Sequence, residues 1–371
     1  MSVIIMLFVS FLEAGIVNGP YIDNLSKDTL SLRFNTDDIT VAWFSWGEYP
    51  KCDKYLTVLV PKKDHTVNLY GLKPSTKYCY NIFLPLENST FSYLVSSSVF
   101  TTFFDETYSS FSFIVYSNTV LNSMDENRKL VSLIISSHTD ISLCVNLGNF
   151  LNSTLDFVFP GEFKDISAYL PIYTALASRE YENYKDKLLK DEYRRFRSFS
   201  KNGFSPHYYY VDIATSRLIF LDNNPEVKNS VSLKKQTKQY QWLKEVLEYS
   251  NSKKYLFVFI NDGIYPSSMD INMDLEETFL KYKVDFVFQN GNFPYLRTRK
   301  IKYGTESDDG IFYIMLGNEN YSQTFKDISD IPIEVIYKNK GFLKVSVYEQ
   351  SVYMDYYNFD GSLIDKFVYS K

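Results

Sequence analysis

Imidazole, the most versatile side chain for metal binding and proton transfer near neutral pH, occurs three times in 371 residues, at His65, His138 and His207. A reaction that needs several of them together, as many metallohydrolases and proton relays do, starts almost without material. The cysteines Cys52, Cys79 and Cys144 form no close-spaced metal pattern such as Cys-x-x-Cys. Cys52 and Cys79 fall in one region and can pair if the chain is exported, or can stand as ordinary thiols in strands. Cys144 lies inside an apolar run and reads as core. Arg194-Arg195-Phe196-Arg197 and Arg297-Thr298-Arg299-Lys300 are basic clusters in a chain of net charge -5, so solvated surface is their first reading and anion contact their second. Tyr208-Tyr209-Tyr210 and Tyr356-Tyr357 could stack sugars, although alternation in strands accounts for them more simply.

The composition limits the elements that position these groups. The chain is 45% hydrophobic and 18% aromatic, with 32 Tyr and 30 Phe, which excludes disorder and suits strand-rich packing. The acidic balance argues against a nucleic-acid binder with a strongly basic face. The length allows two domains.

Residues 1–18, with the apolar run Val3-Ile4-Ile5-Met6-Leu7-Phe8-Val9, read as a signal peptide or N-terminal anchor and predict export to the periplasm, the cell surface or the medium. No later stretch is long and apolar enough to span a membrane. Asn24, Asn88, Asn152 and Asn320 begin glycosylation-type triplets.

Residues 20–103 are strand and turn throughout. Thr29-Leu30-Ser31-Leu32-Arg33-Phe34 alternates apolar and polar, and Ile39 to Trp46 is another strand ended by Gly47. In Leu72-Lys73-Pro74-Ser75-Thr76-Lys77-Tyr78, Pro and Thr build a corner across which the Tyr can hydrogen-bond back. This run resembles the fibronectin type III signature. After a polar linker at 104–110, strands and helices alternate over 111–371. Strands are predicted at Phe111–Tyr116, Asp140–Leu147, Pro171–Leu176, Lys254–Ile260 and Val284–Phe288. Helices are predicted after the capping box at Ser123–Glu126, over Gln236–Tyr249 and over Leu275–Lys281. A hairpin is expected over Tyr208–Asp222, and hairpins throughout from Gly310, with Asp360-Gly361 as a turn.

This order of segments resembles a metallophosphoesterase of the purple acid phosphatase type, in the calcineurin-like phosphoesterase superfamily. The resemblance covers nearly the whole chain. It implies an all-β fibronectin type III-like sandwich over 20–103, followed by an α/β four-layer (α/β/β/α) domain over 111–371. In that family two metal ions are held by five motifs on strand-end loops. The frame of each is present here, and the ligands are replaced. Asn118 stands for the first Asp. Asn149 stands for the bridging Asp, and Asn152 for the Tyr that colours the purple enzymes. Ser178 stands for the ligand Asn and Arg179 for the His that serves the leaving group, beside a retained Glu180. Asn261 stands for a His ligand, next to Asp262. Gly291 and Phe293 occupy the two His positions of the last motif, where Tyr295 and Arg297 keep the flanking Tyr-x-Arg.

The replacements bear on the chemistry directly. Two cations a few ångströms apart need anionic bridging oxygens, and amides supply only neutral carbonyls. Without metal, clustered Asp would repel one another, and Asn relieves that cost. The expectation is therefore a pseudoenzyme, with no metal cofactor and with a binding or scaffolding role. Its partner is unnamed by the sequence, and a protein or small molecule in the vestigial cleft would fit. Arg179 is the candidate anion contact there, with Asn118, Asn149 and Asn292 as hydrogen-bonding neighbours. The alternative is a divergent metallophosphoesterase with a rebuilt metal site that still hydrolyses phosphate esters. His65 falls in the front domain. His138 follows a helix on the side away from the strand-end loops. His207 leads into a hairpin, where an exposed or core role comes before a catalytic one.

Overall fold

The computed structural model describes residues 15–86, 91–107, 110–117, 124–138, 140–149, 163–177, 180–182, 188–189, 203–204, 207–223, 233–265, 273–317 and 330–371. Residues 1–14 of the predicted leader, the Ser123 cap, the Arg194–Arg197 cluster, three of the glycosylation-type Asn residues (Asn88, Asn152 and Asn320) and the site positions Asn118, Asn152, Ser178 and Arg179 lie outside these residues, whereas Ile16–Asn18, at the end of the predicted leader, belong to the first strand of the front sheet because they pair with the strand that follows.

The front part is one antiparallel sheet of five strands: β1 (Ile16–Leu25), β2 (Thr29–Glu48), β3 (Tyr55–Tyr70), β4 (Lys77–Pro85) and β5 (Ser92–Thr101). Their order is β1-β2-β4-β5, with β3 also paired to β2. Alternation in β2 sends Leu30, Leu32, Phe34, Ala42 and Phe44 into the core. The Tyr corner forms as expected: the Lys73 backbone N–H donates to the Tyr78 hydroxyl at 3.0 Å. Cys52 and Cys79 are joined in a disulfide, with 5.2 Å between their Cα atoms.

The rest of the chain follows as β6 (Phe111–Tyr116), α1 (Met124–Ser137), β7 (Ile141–Asn146), α2 (Lys164–Ser167) and β8 (Ile172–Thr174). The short strands β9 (Tyr181–Glu182), β10 (Leu188–Leu189) and β11 (Gly203–Phe204) come next, then β12 (Tyr208–Ile213), β13 (Ser216–Phe220), α3 (Lys238–Glu248) and β14 (Tyr255–Asp262). The chain closes with α4 (Met273–Lys281), β15 (Phe286–Asn290), β16 (Tyr295–Lys302), β17 (Thr305–Glu306), β18 (Ile311–Leu316), β19 (Ile333–Tyr337), β20 (Gly341–Val347), β21 (Ser351–Asn358) and β22 (Leu363–Ser370).

Two large mixed sheets result. One runs β22-β21-β20-β6-β7-β8, and the other β11-β12-β13-β14-β15-β18-β16-β17 with β19 on β16. Strands β6, β7 and β8 are mutually parallel, as are β13, β14, β15 and β18.

Period-two alternation explains the heavy aromatic content. Phe257 and Phe259 of β14 join the core shared with Phe113 of β6, whose ring meets theirs edge-on at 5.5 and 6.1 Å. Phe220, Phe259 and Phe288 stack across three neighbouring parallel strands at 4.9 and 5.0 Å. The alternate residues Val258 and Ile260 pack with Leu243 and Leu247 of α3 and Leu275 and Phe279 of α4. With both faces covered, a run such as Tyr255–Ile260 is continuously apolar. On the other sheet Ile114, Cys144 and Ile172 pack with Leu130 and Ile134 of α1.

Two expectations need correction. The segment from Gly310 is not hairpins throughout. β18 lies between β15, parallel, and β16, antiparallel, because all six of its residues are buried in the sheet interior; only β20–β22 form the expected meander. The Arg297–Lys300 cluster is not solvated surface as a whole. Arg297 is 7% exposed as a side chain and paired with Asp365 on β22 of the other sheet, while Arg299 is ion-paired to Glu306 and Glu334.

Candidate functional site

Parallel strands bring chemistry-bearing residues together where their carboxyl ends meet the loops. In the first sheet these ends are Tyr116-Ser117 after β6, Asn146 to Asn149 after β7 and Thr174 to Ala177 after β8. In the second they are Leu221-Asp222 after β13, Asn261-Asp262 at the end of β14, and Asn290 to Phe293 after β15. The two sets face each other, since the Ser117 hydroxyl donates to the Leu316 carbonyl of β18 at 2.8 Å.

The β7 loop turns tightly. Gly148 has φ +92°, and a Cβ on it would sit 2.5 Å from the Ala177 Cβ. Asn149 follows at φ 54°, a left-handed conformation that Asn tolerates well. Glu180 is fully buried, and its Oε2 accepts from the backbone N–H of Ala177 at 2.8 Å and of Asn149 at 3.2 Å. The Glu180 carboxylate thus ties the loops after β7 and β8 to each other.

The β14 and β15 ends are joined amide to amide, with Asn290 Nδ2 donating to Asn261 Oδ1 at 3.0 Å and Asn290 Oδ1 accepting from the Gly291 N–H at 2.8 Å. Gly291 packs against the end of the Met315 side chain: a Cβ there would meet Cε at 2.3 Å and Sδ at 2.4 Å, so a side chain at this position requires Met315 to move. Phe293 is buried with Leu296 and Met315. Where the resembling family places two imidazoles, this chain has an apolar plug.

Tyr295 and Arg297, the kept Tyr-x-Arg, both bind Asp365. The Tyr295 hydroxyl donates at 2.6 Å, and Arg297 makes a bidentate pair at 2.8 and 3.2 Å. Burial opposes the Arg297 charge, but the Asp365 carboxylate outweighs it and holds the guanidinium pKa above its ordinary value. The pair is a clasp between the two sheets.

His207 is the surprise of the site. Its Nδ1 lies 2.8 Å from Asp222 Oδ2, and the Tyr181 hydroxyl reaches both the His207 ring and the same carboxylate. The Asp222 side chain is wholly buried and His207 is 15% exposed. Gln239 of α3 holds the Asp222 backbone from behind at 2.9 and 2.8 Å. Sequence reasoning passed over Asp222 and Tyr181. A signal existed for Asp222, which ends the apolar run Leu218–Leu221 much as Asn261 and Asn290 end theirs.

The other groups sit elsewhere. His65 stacks on Phe34 at 4.7 Å in the front sheet, and His138 packs against Phe342 and Tyr357; burial lowers both imidazole pKa values. Burial pushes the Cys144 thiol up to about 12, so it is no nucleophile. A cavity of about 630 Å³ lies between Asn24–Ser31 of the front sheet and Tyr210–Asp212 of β12, away from the strand ends.

Among the described residues no group of three or more His, Cys, Asp or Glu is placed to hold a metal ion. No known family profile and no curated protein matches the sequence. Solved structures do match. The chain is similar to the purple acid phosphatase PPD1 from seeds of yellow lupin (Lupinus luteus), with TM-score 0.74 at 13% identity over 96% of this chain and 73% of that one. It is similar to PhoD, with TM-score 0.72 at 11% identity over 97% and 90% of the two chains. The fold is that of the phosphoesterases. A third structure, GAP50, described as the anchor in the inner membrane complex of Plasmodium, gives TM-score 0.50 at 14% identity over 71% of this chain and 89% of that one.

Proposed function

We propose that this phosphoesterase-fold protein is a pseudoenzyme that acts outside the cytoplasm by binding or scaffolding, with a fibronectin type III-like sandwich in front of a four-layer α/β/β/α domain. The observation that carries the reading is the β15 loop. Met315 occupies the space beside Gly291 that a side chain would enter, and Phe293 fills the other position with a buried ring. The neighbouring strand ends carry amides already engaged with one another. A dinuclear centre needs anionic bridging ligands, and the joined amides Asn261 and Asn290 offer carbonyl oxygens in their place. The residues do not fit the family's two-metal group. The front sheet's Tyr corner favours the fibronectin-like reading, and the disulfide between Cys52 and Cys79 favours an oxidising compartment. GAP50's description as an anchor lends the scaffolding role a precedent in the fold. Arg179 and Asn118 would then recognise an anionic or neutral ligand rather than position metals.

The test is metal analysis of the purified protein beside hydrolysis of nitrophenyl phosphate with and without added divalent cations. Substoichiometric metal and no cation-dependent turnover are expected. Near-stoichiometric metal with metal-dependent turnover would sink the reading.

One observation favours the divergent hydrolase instead. Asp222 and Tyr181 hold His207 as a general acid or base would be held. Turnover that His207→Asn abolishes, with the protein still folded, would decide for it.

A further inference from the structure

Most of what the cavity between the front sheet and β12 presents to a ligand is neutral and hydrogen-bonding. Register sets Asn24 of β1, Ser31 of β2 and Asn68 of β3 in one row, with Thr29 and Tyr70 in the next row on the same face. All five line the cavity. Leu25, Leu30, Val211 and Ala214 line it too, but each is at most 5% exposed and packs into the core. The surface left to a ligand is therefore amide, hydroxyl and aromatic ring. Three carboxylates reach the lining, and each is engaged within the protein. Asp28 accepts from Ser26 Oγ at 2.8 Å, Glu106 pairs with Lys27 at 3.2 Å, and Asp212 holds Arg217 through two contacts of 2.8 Å. The Ser31 hydroxyl oxygen is buried and has no hydrogen-bond partner among the described residues. Of the run Tyr208–Tyr210, Tyr210 lines the cavity, and on the front sheet Tyr70 keeps 66% of its surface in water.

We propose that this cavity is a binding site for a neutral saccharide, the size of a short oligosaccharide. Sugar hydroxyls both donate and accept, as do the amides of Asn24 and Asn68 and the hydroxyls of Ser31 and Thr29. Such a ligand satisfies the Ser31 hydroxyl, whereas an apolar one covers it and the amides without giving them partners. Charge selects against anions. Three carboxylates against the single ammonium of Lys27 give the lining a negative balance, which opposes phosphate, carboxylate and nucleotide groups. The partners those carboxylates already have leave little for a cation to gain. Tyr70 supplies a ring face for the C–H side of a pyranose, the use to which an aromatic at a wet boundary is suited. The volume of about 630 Å³ falls within the roughly 300–1,000 Å³ usual for ligand sites. The cavity lies away from the strand ends, so this inference goes beyond the pseudoenzyme reading and stands whether or not those ends catalyse a reaction.

Calorimetric titration of the full chain with cellobiose, maltotriose, lactose and diacetylchitobiose tests the assignment, with inorganic phosphate and AMP as competitors. The expected result is saturable binding of at least one of these sugars in the millimolar range or tighter, which neither anion displaces. Asn68→Ala and Tyr70→Ala should each weaken it about tenfold, the scale of one lost contact. Tyr249→Ala, which removes an exposed ring elsewhere, should leave it unchanged. Asn68 and Tyr70 are both exposed, so their variants should keep the wild-type melting temperature; if one fails to fold, the other carries the test. No binding of any of the sugars up to about 10 mM overturns the proposal. So does sugar binding that the folded cavity variants leave intact, or that Tyr249→Ala weakens equally. Displacement of the sugar by phosphate or AMP would also overturn it and assign the cavity to anions.

Discussion

Glu180 is buried where two strand-end loops meet, and its hydrogen bonds account for its place there. It receives two backbone N–H groups from loops that follow different strands, so its role needs no metal. Glu180→Gln keeps the shape and removes the charge. Stability should fall by about 1–3 kcal/mol, the scale of charge-assisted hydrogen bonds in a buried setting, with no change in metal content. A urea titration reads the first quantity and elemental analysis the second; unchanged stability would show that the two loops do not depend on the carboxylate. The β15 loop gives the converse test. Gly291→His would restore the family's residue type, yet the new side chain enters the space of Met315. Destabilisation of about 1–3 kcal/mol by overpacking is expected, without gain of a tightly bound cation. A stable, metal-loaded variant would mean that the loop can reopen.

At the scale of elements, the clasp from β16 to β22 joins two sheets through a buried charge pair. Removing one partner leaves the other buried and uncompensated, so Arg297→Ala should cost about 3–5 kcal/mol. The double variant Arg297→Met with Asp365→Leu should recover much of that loss, because neither charge is then stranded. A double-mutant cycle with a coupling near zero would contradict the pairing. This contact also marks the limit of reading elements from sequence. Strands β6, β7, β14 and β15 were legible as apolar runs that stop at Asn or Gly, because strands covered on both faces must be apolar throughout. α3 was legible from the spacing of Tyr240, Leu243, Val246 and Leu247, all buried in the structure. Arg297 was misread as surface because its partner lies 68 residues away, and no local pattern encodes that. The Tyr181–His207–Asp222 cluster was missed for the same reason. Its members come from the short strand β9, a hairpin start and a strand end that only the assembled topology brings together.

For the whole molecule, pH is the accessible variable. His65 and His138 both have pKa values lowered chiefly by burial. The unfolded chain therefore takes up protons below pH about 6.5 that the folded chain refuses. Their contribution to stability is complete above that pH and is lost as the pH falls through the folded-state values, at up to about 1.4 kcal/mol per pH unit for each group. Denaturation midpoints between pH 7.5 and 5 should fall, and His65→Phe, which keeps a ring against Phe34, should flatten the slope. A midpoint that rises on acidification would show the sign to be wrong.

The clasp has a consequence in time as well as in space. Arg297 leaves the ribosome 68 residues before Asp365, so through that interval its guanidinium has no counter-charge to be buried against. β16 can pair with β18 once the latter emerges, but the two sheets cannot close on each other at this point until β22 has been made. The nascent pair of large sheets should therefore remain open to chaperones and proteases until late in synthesis, and a chain cut short before residue 365 should be degraded rather than accumulate as a half-closed form.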